Sequence, residues 1–168
     1  SYNVSRNTFG AGHLLETNSD GDIVLKLGDL VDGEADGVAS TDAMSDDNNG
    51  LSDEDGVDLT TLPAIDNSTL PTIASYAINV KVTNITGYDA NLCGWIDWNE
   101  NGVFDDNERA CVVVPNNATQ ATLNWSSVTF NGSTSDNKLN VHMRFRIATD
   151  ELTSPNGAAS NGEVEDYY

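Results

Sequence analysis

A run of oxygen-bearing side chains between residues 97 and 108 has the spacing of a calcium-binding loop. The pattern D-x-N-x-N-G-x5-E is formed by Asp97, Asn99, Asn101, Gly102, Val103, Asp105 and Glu108. Calcium takes about six to eight oxygen ligands, and a spacing of two along a curled loop brings alternate side chains to one centre. Val103 would contribute its carbonyl, Asp105 would act directly or through a water, and Glu108 could close the site with both oxygens. The alternative is an Asn/Asp-rich turn that binds nothing.

Two cysteines, Cys93 and Cys111, flank this loop. If the loop joins neighbouring strands, their β-carbons come within bridging range. We therefore predict a disulfide, which would contribute about 3 kcal/mol in the chain-entropy model and implies an oxidising, extracellular setting. The alternative is a pair of free buried thiols.

A second acidic stretch extends from Asp29 to Asp58, with its carboxylates grouped between glycines. A solvated acidic loop is one interpretation. A second calcium site is the other, and we favour it because grouped carboxylates suit oxygen-ligated calcium and a structureless loop of this length is uncommon in a compact domain.

The overall charge also favours bound cations. The 168 residues include 7 Lys and Arg against 27 Asp and Glu, for a formal charge of -20. Such a chain should repel nucleic acid and anionic membranes, and no apolar run approaches the roughly 18 residues of a membrane helix. The sequence has neither an initiating Met nor a signal peptide, so we interpret it as a module of something longer.

Short alternating segments, not helices, must position these residues. Apolar residues alternate with polar ones over residues 76–82, 119–125 and 139–147, between turns rich in Gly, Asn, Asp and Ser. This predicts an all-β protein, an antiparallel β-sandwich with long acidic calcium-binding loops. Residues 1–21 would be an arm packed on the body, and residues 22–168 one module. The 97–108 loop would connect strand to strand.

Other groups could pair with charges, catalyse a reaction or bind a ligand, but their sequence patterns are less specific. Arg144 and Arg146 share a strand face and should pair with carboxylates, with Glu163, Glu165 and Asp166 as candidates. Glu163 and Glu165 also form a carboxylate pair of the kind that hydrolases use, but nothing else in the chain supports catalysis, and we expect no enzyme. Trp98 is the tryptophan most expected to be exposed, where it could stack on a sugar ring. Packing in the core is the more ordinary alternative.

The ending Gly162-Glu163-Val164-Glu165-Asp166-Tyr167 resembles the signature of the GEVED domain. Residues 94–104 with Glu108, the string Met143-Arg144-Phe145-Arg146, and the acidic stretch around Leu27-Gly28-Asp29 and Ser52–Val57 are similar to that family as well. The resemblance implies a β-sandwich module of large secreted or surface-attached bacterial proteins, often adhesins, that is calcium-associated and not catalytic. It also implies metal-ligand roles for Asp97, Asn99, Asn101 and Glu108, and extends them to the groups Asp53-Glu54-Asp55 and Glu163, Glu165 and Asp166.

These observations predict a calcium-stabilised adhesion or stalk module on the bacterial surface. Its partners would be neighbouring modules of a larger chain, and it would be monomeric. The alternative is a calcium-dependent carbohydrate-binding module that contacts a glycan or host ligand through Trp98. A hydrolase is a distant third.

Overall fold

The structure is a computed structural model that describes residues 11–31 and 54–168. This part of the chain contains two short 3-10 helices, at Leu59–Thr61 and Asp106–Glu108, and eleven strands. The strands are β1 (Ala11–Gly12), β2 (Leu25–Leu27), β3 (Thr72–Asn84), β4 (Ala90–Ile96), β5 (Arg109–Val114), β6 (Gln120–Thr129), β7 (Thr134–Ser135), β8 (Lys138–Leu139), β9 (Met143–Ala148), β10 (Gly157–Ala158) and β11 (Glu163–Tyr167). The predicted all-β class is therefore confirmed.

A three-stranded antiparallel sheet has the order β2-β3-β6. In β3 the predicted alternation holds, because Tyr76, Ile78, Val80 and Val82 are buried while the residues between them are more exposed. Strand β6 extends four residues beyond the predicted 119–125 alternation, to Thr129.

A four-stranded antiparallel sheet has the order β11-β9-β4-β5. Strand β9 is buried along its whole length, including Arg144 and Arg146. The loop at residues 149–162 supplies carbonyl acceptors to both arginines, which explains how the polar face of this strand comes to be covered.

One cluster of buried apolar residues contains side chains from both sheets. Gly94 of β4 shows how closely they approach: a Cβ at this position would lie 2.7 Å from Leu123 Cδ1 in β6 and 3.0 Å from the Phe145 ring in β9. Glycine is therefore needed here for space. Burying this cluster is the main favourable term in folding.

The described part of the N-terminal arm lies against the C-terminal half of the chain. Ala11 and Gly12 in β1 pair with Gly157 and Ala158 in β10. This pairing is parallel, which the prediction of a wholly antiparallel fold missed. No helix in the described ranges is long and apolar enough to cross a membrane.

Candidate metal centre

The 97–108 loop joins β4 to β5, which are neighbouring antiparallel strands, as predicted. Cys93 and Cys111 lie directly opposite each other in this pair and form a disulfide, with their Cα atoms 4.1 Å apart. The predicted bridge is thereby confirmed. It fixes the base of the loop and limits how far its two ends can separate.

Asp97 lies at the start of the loop and is buried, with 1% of its surface exposed. Its Oδ1 accepts a hydrogen bond from the backbone N–H of Asn101 at 3.1 Å, and its Oδ2 accepts one from Gly102 at 3.0 Å. Gly102 has a φ of 79°, a conformation that glycine adopts at little steric cost. The chain turns sharply at this residue, which is the glycine of the predicted loop pattern.

The two asparagines hold the middle of the loop. Asn99 Oδ1 accepts from the backbone N–H of Asn101 at 2.9 Å, and Asn101 Oδ1 accepts from that of Val103 at 2.8 Å. Asn101 Nδ2 also donates to Asp105 Oδ2 at 3.0 Å. These local bonds curl the chain so that alternate side chains converge.

Glu108 closes the loop from its C-terminal end and is also 1% exposed. Its Oε1 accepts from the backbone N–H of Trp98 and from Asn99 Nδ2, both at 3.0 Å. Its Oε2 accepts from the backbone N–H of Asp105 at 2.9 Å. Burial, together with the nearby charges of Asp97 and Asp105, raises the pKa of Glu108 to about 7 against the lowering effect of these N–H groups.

The donor chemistry of this loop fits a calcium ion. It offers carboxylate and amide oxygens, which are the ligands that calcium prefers. Within residues 11–31 and 54–168, no group of three or more His, Cys, Asp or Glu side chains is arranged to hold a metal ion. A calcium ion here would therefore depend on the oxygens of Asn99 and Asn101 beside those of Asp97 and Glu108. Calcium binding stays a prediction.

Trp98 lies inside the loop but is only 2% exposed, so it packs in the core and does not form the exposed platform of the binding alternative. Its ring makes edge-to-face contacts with Tyr76, Trp125 and Phe130, at centroid distances of 5.5–6.2 Å. Such contacts favour packing over an open stacking platform. The loop is therefore anchored in the core by this side chain.

The carboxylates of the closing strand form a second site, which we call the C-terminal clamp (Glu163, Glu165 and Tyr167). Glu163 Oε2 accepts from the backbone N–H of Leu27 at 2.7 Å. Glu165 Oε1 accepts from the N–H groups of Asp55 at 3.2 Å and Gly56 at 3.1 Å. The clamp thus binds two segments that lie more than a hundred residues earlier in the chain.

Tyr167 completes the clamp, although the sequence analysis did not single it out. Its hydroxyl donates to Glu165 Oε2 at 2.8 Å and accepts from the N–H of Val57 at 2.9 Å. Burial raises the pKa of Glu165 to about 7. The alternation of Glu163, Glu165 and Tyr167 on one strand face was the signal that could have identified it.

Asp55, whose N–H group contacts the clamp, also makes a separate contact through its side chain. Its Oδ1 accepts from the N–H groups of Asp29 at 2.9 Å and Leu30 at 3.3 Å. A Cβ on Gly28 would lie 1.6 Å from this oxygen, so only glycine permits the approach. The predicted acidic group at residues 53–55 is thus partly brought to the clamp, and Asp53 lies outside the described residues.

Asp166 points to the other face of β11 and pairs with an arginine. Arg144 Nε donates to Asp166 Oδ1 at 2.6 Å, and its NH2 donates to Oδ2 at 2.5 Å. This bidentate pair confirms the expected pairing for Arg144. The metal-ligand role that the resemblance implies for Asp166 stays a prediction.

The prediction that Arg146 pairs with a carboxylate is wrong. Its Nε donates to His13 Nε2 at 3.0 Å, and its NH1 and NH2 donate to the carbonyls of Ser154, Asn156 and Gly157 at 2.8–2.9 Å. Because His13 Nε2 accepts this bond, its Nδ1 carries the proton and donates to the carbonyl of Asn161 at 2.8 Å. Burial lowers the pKa of Arg146 to about 10.

The predicted site residues therefore divide into two groups. The 97–108 loop brings together Asp97, Asn99, Asn101, Asp105 and Glu108, and the clamp brings together Asp55, Glu163 and Glu165. The other acids of residues 32–53 lie outside the described residues.

Comparison with known proteins identifies part of this chain. Residues 91–168 match the family model described as the GEVED domain. No curated protein and no solved structure shows a significant match. The matched range contains the whole 97–108 loop and the clamp, whereas the segments that the clamp binds precede it.

Proposed function

Residues 91–168 are a GEVED domain, and from this premise we propose that the chain is a calcium-stabilised extracellular module. It would serve as an adhesion or stalk unit of a large bacterial surface or secreted protein, joined to neighbouring modules. Its two sheets would form the layers of a β-sandwich, with the acidic loops at its edges. Its task would be mechanical and not catalytic.

The observation that carries this proposal is the pair of buried carboxylates, Asp97 and Glu108, in one loop of a chain with a formal charge of -20. Their mutual repulsion is costly in an environment that excludes water. The backbone N–H groups that they accept from offset only part of this cost. A divalent cation between them would offset the rest and would also tie both ends of the loop together.

The disulfide supports the extracellular part of the proposal. Disulfides persist in oxidising compartments and are rare in reducing ones. The bridge between Cys93 and Cys111 and a calcium ion would act on the same loop, one at its base and one at its centre. A module held in this way would resist opening when neighbouring modules are pulled.

The clamp supports a structural role over hydrolysis. Glu163 and Glu165 accept hydrogen bonds from backbone groups of the N-terminal segments and from Tyr167. In this arrangement the carboxylates hold strands together. A reacting carboxylate would instead need access to a substrate.

Thermal unfolding in calcium and in excess chelator tests the proposal. A ligand at a hundredfold excess over its Kd stabilises by about 2.7 kcal/mol, which for a chain of this size corresponds to roughly 5–11 °C in Tm. The same rise should be absent in Glu108→Gln and present in Glu151→Gln, an exposed acid outside the loop. Magnesium at equal concentration controls for general charge screening. If calcium leaves Tm unchanged, or if Glu108→Gln responds as the parent does, the proposal is wrong.

A further inference from the structure

A cleft of about 400 Å³ opens between the 97–108 loop and strand β6. The loop contributes Trp98, Asn99, Asn107 and Glu108, and β6 contributes residues 124–129. This volume lies within the range of roughly 300–1,000 Å³ that is typical of small-molecule sites. The cleft is therefore large enough for a small ligand.

The lining of the cleft is polar but carries little free charge. Side-chain amides come from Asn99, Asn107 and Asn124, and hydroxyl groups come from the β6 segment. The carboxylate of Glu108 is occupied by N–H groups of the loop. The guanidinium of Arg109 donates to the carbonyl of Thr153 at 2.7 Å. In a protein so rich in acids, this surface presents mainly neutral donors and acceptors.

Two tryptophans lie beneath the cleft, where they are only 2% and 3% exposed. Trp125 is fixed by a 2.7 Å hydrogen bond from its Nε1 to the carbonyl of Glu108. The Nε1 of Trp98 is buried and has no acceptor among the described residues. Because these rings are almost fully covered, the surface open to a ligand consists mainly of amides and hydroxyls, which suit a ligand that carries many hydroxyl groups.

Ser127, on the β6 side, has an unusual backbone conformation. Its φ is 56°, a left-handed value that costs a non-glycine residue roughly 1–2 kcal/mol. The register of β3 with β6 includes the pairs Ser75 with Ser126 and Ile73 with Val128, but omits Ser127. Strained residues of this kind concentrate at ligand sites.

From these observations we infer that the cleft binds a short neutral saccharide. Asn107 and Asn124, which are both exposed, would hydrogen-bond its hydroxyl groups from opposite sides of the cleft. An anionic ligand would be repelled by the net charge of the protein. A peptide would need apolar side-chain pockets, which this polar lining does not favour.

The inference rests on the proposed function, because half of the cleft wall is the loop that calcium would hold. Calcium would fix the positions of Asn99, Asn107 and Glu108 without itself touching the saccharide. Saccharide binding should therefore weaken in chelator, even though the β6 side of the cleft contains no metal ligand.

The indole N–H signals in a ¹⁵N–¹H correlation spectrum test the inference. Trp98 and Trp125 line the cleft, whereas Trp95 packs in a separate cluster with Cys93. Maltose, cellobiose, lactose and diacetylchitobiose, added at millimolar concentration in calcium, serve as probes. At least one should shift the Trp98 and Trp125 signals in a saturable way and leave that of Trp95 in place.

Variants on the β6 side identify the site. Asn124→Ala should weaken binding of the active probe by roughly three- to tenfold, the loss expected for one hydrogen bond. Gln120→Ala, an exposed change on the same strand outside the cleft, should leave binding unchanged. Calcium-dependent Tm should be the same in both variants, because neither lies in the 97–108 loop.

The outcomes separate this inference from the proposed function. If calcium raises Tm but no probe shifts the Trp98 or Trp125 signal, the saccharide site is wrong and the calcium proposal stands. If a probe binds but Asn124→Ala has no effect, the cleft is not the site. If calcium has no effect on Tm while a saccharide binds equally well in chelator, the calcium proposal fails and the link between the two is refuted.

Discussion

The buried carboxylate of Glu165 should make the calcium-free protein less stable as the pH rises. Glu165 is 3% exposed and accepts hydrogen bonds from Asp55, Gly56 and Tyr167. Burial raises its pKa from 4.5 to about 7 in spite of these bonds. The folded protein therefore holds this proton more tightly than the unfolded chain does.

The sign and size of the effect follow from this difference. Below about pH 4.5 both states carry the proton, so Glu165 makes no pH-dependent contribution. Between about pH 4.5 and about pH 7 the unfolded chain ionises first, and the free energy of unfolding falls. A shift of the Glu165 pKa from 4.5 to about 7 lowers the free energy of unfolding by about 3 kcal/mol in total. The loss is complete once the pH is above the pKa of the folded state.

Glu165→Gln is the variant that isolates this effect. Glutamine keeps the size of the side chain and an acceptor oxygen for the N–H groups of Asp55 and Gly56, but it cannot ionise. The pH-dependent loss of stability should therefore be smaller in the variant by about 3 kcal/mol between about pH 5 and about pH 8. Glu108, whose pKa is also raised to about 7, acts with the same sign in both proteins and cancels in the comparison.

Denaturant unfolding in excess chelator, measured over this pH range, provides the free energies. Glu151→Gln, which removes an exposed carboxylate, controls for the change in net charge and should follow the parent. A Glu165→Gln protein that unfolds cooperatively and loses as much stability as the parent over the same range would refute the reasoning. In that case the carboxylate would have to be hydrated in the folded state.

Three further predictions concern stability. Gly28→Ala should lower the free energy of unfolding by about 2–4 kcal/mol in denaturant, because the added Cβ would overlap Asp55 Oδ1. Gly87 also has a positive φ but has open space around it, so Gly87→Ala should cost only about 1–2 kcal/mol. Equal losses in the two variants would contradict the steric argument. Replacing both cysteines by serine should lower the free energy of unfolding by about 3 kcal/mol, and an unchanged denaturant midpoint would show that the bridge contributes nothing. Residues 91–168 alone should show no cooperative thermal transition, because β2 and β3 supply part of the shared core; a sharp transition would show that the matched range folds independently.

Most of the strands could be predicted because their residues alternate. Residues 76–82 bury every second side chain in β3 as their pattern indicated. Strand β9 shows the limit of this reasoning: its alternation placed the two arginines on one face and suggested carboxylate partners, yet carbonyls of the 149–162 loop cover much of that face. A periodic pattern identifies which residues share a face, but it does not show what other segment covers that face.

The 97–108 loop was visible in the sequence because its residues interact with near neighbours. Hydrogen bonds such as those from Asn101 and Gly102 to Asp97 span only four or five positions, so spacing alone predicts them. The clamp could not be predicted in this way. Glu165 and Gly56 are 109 positions apart, and their contact depends on the register of two different sheets. The ring contacts of Trp98 likewise come from the distant strands β3 and β6, so spacing alone could not identify its partners.

The clamp also has a consequence for the synthesis of the protein. The chain is made from its N-terminus, so Leu27 and Gly56 leave the ribosome more than a hundred residues before Glu163 and Glu165. Their backbone N–H groups cannot reach their final partners until β11 has been synthesised. Contacts between such distant positions form slowly, and a nascent chain that lacks only its last strand still exposes the edge of β9. Translation that stops a few codons before Glu163 should therefore leave these N–H groups without their partners and the edge of β9 exposed, a natural target for proteases and chaperones.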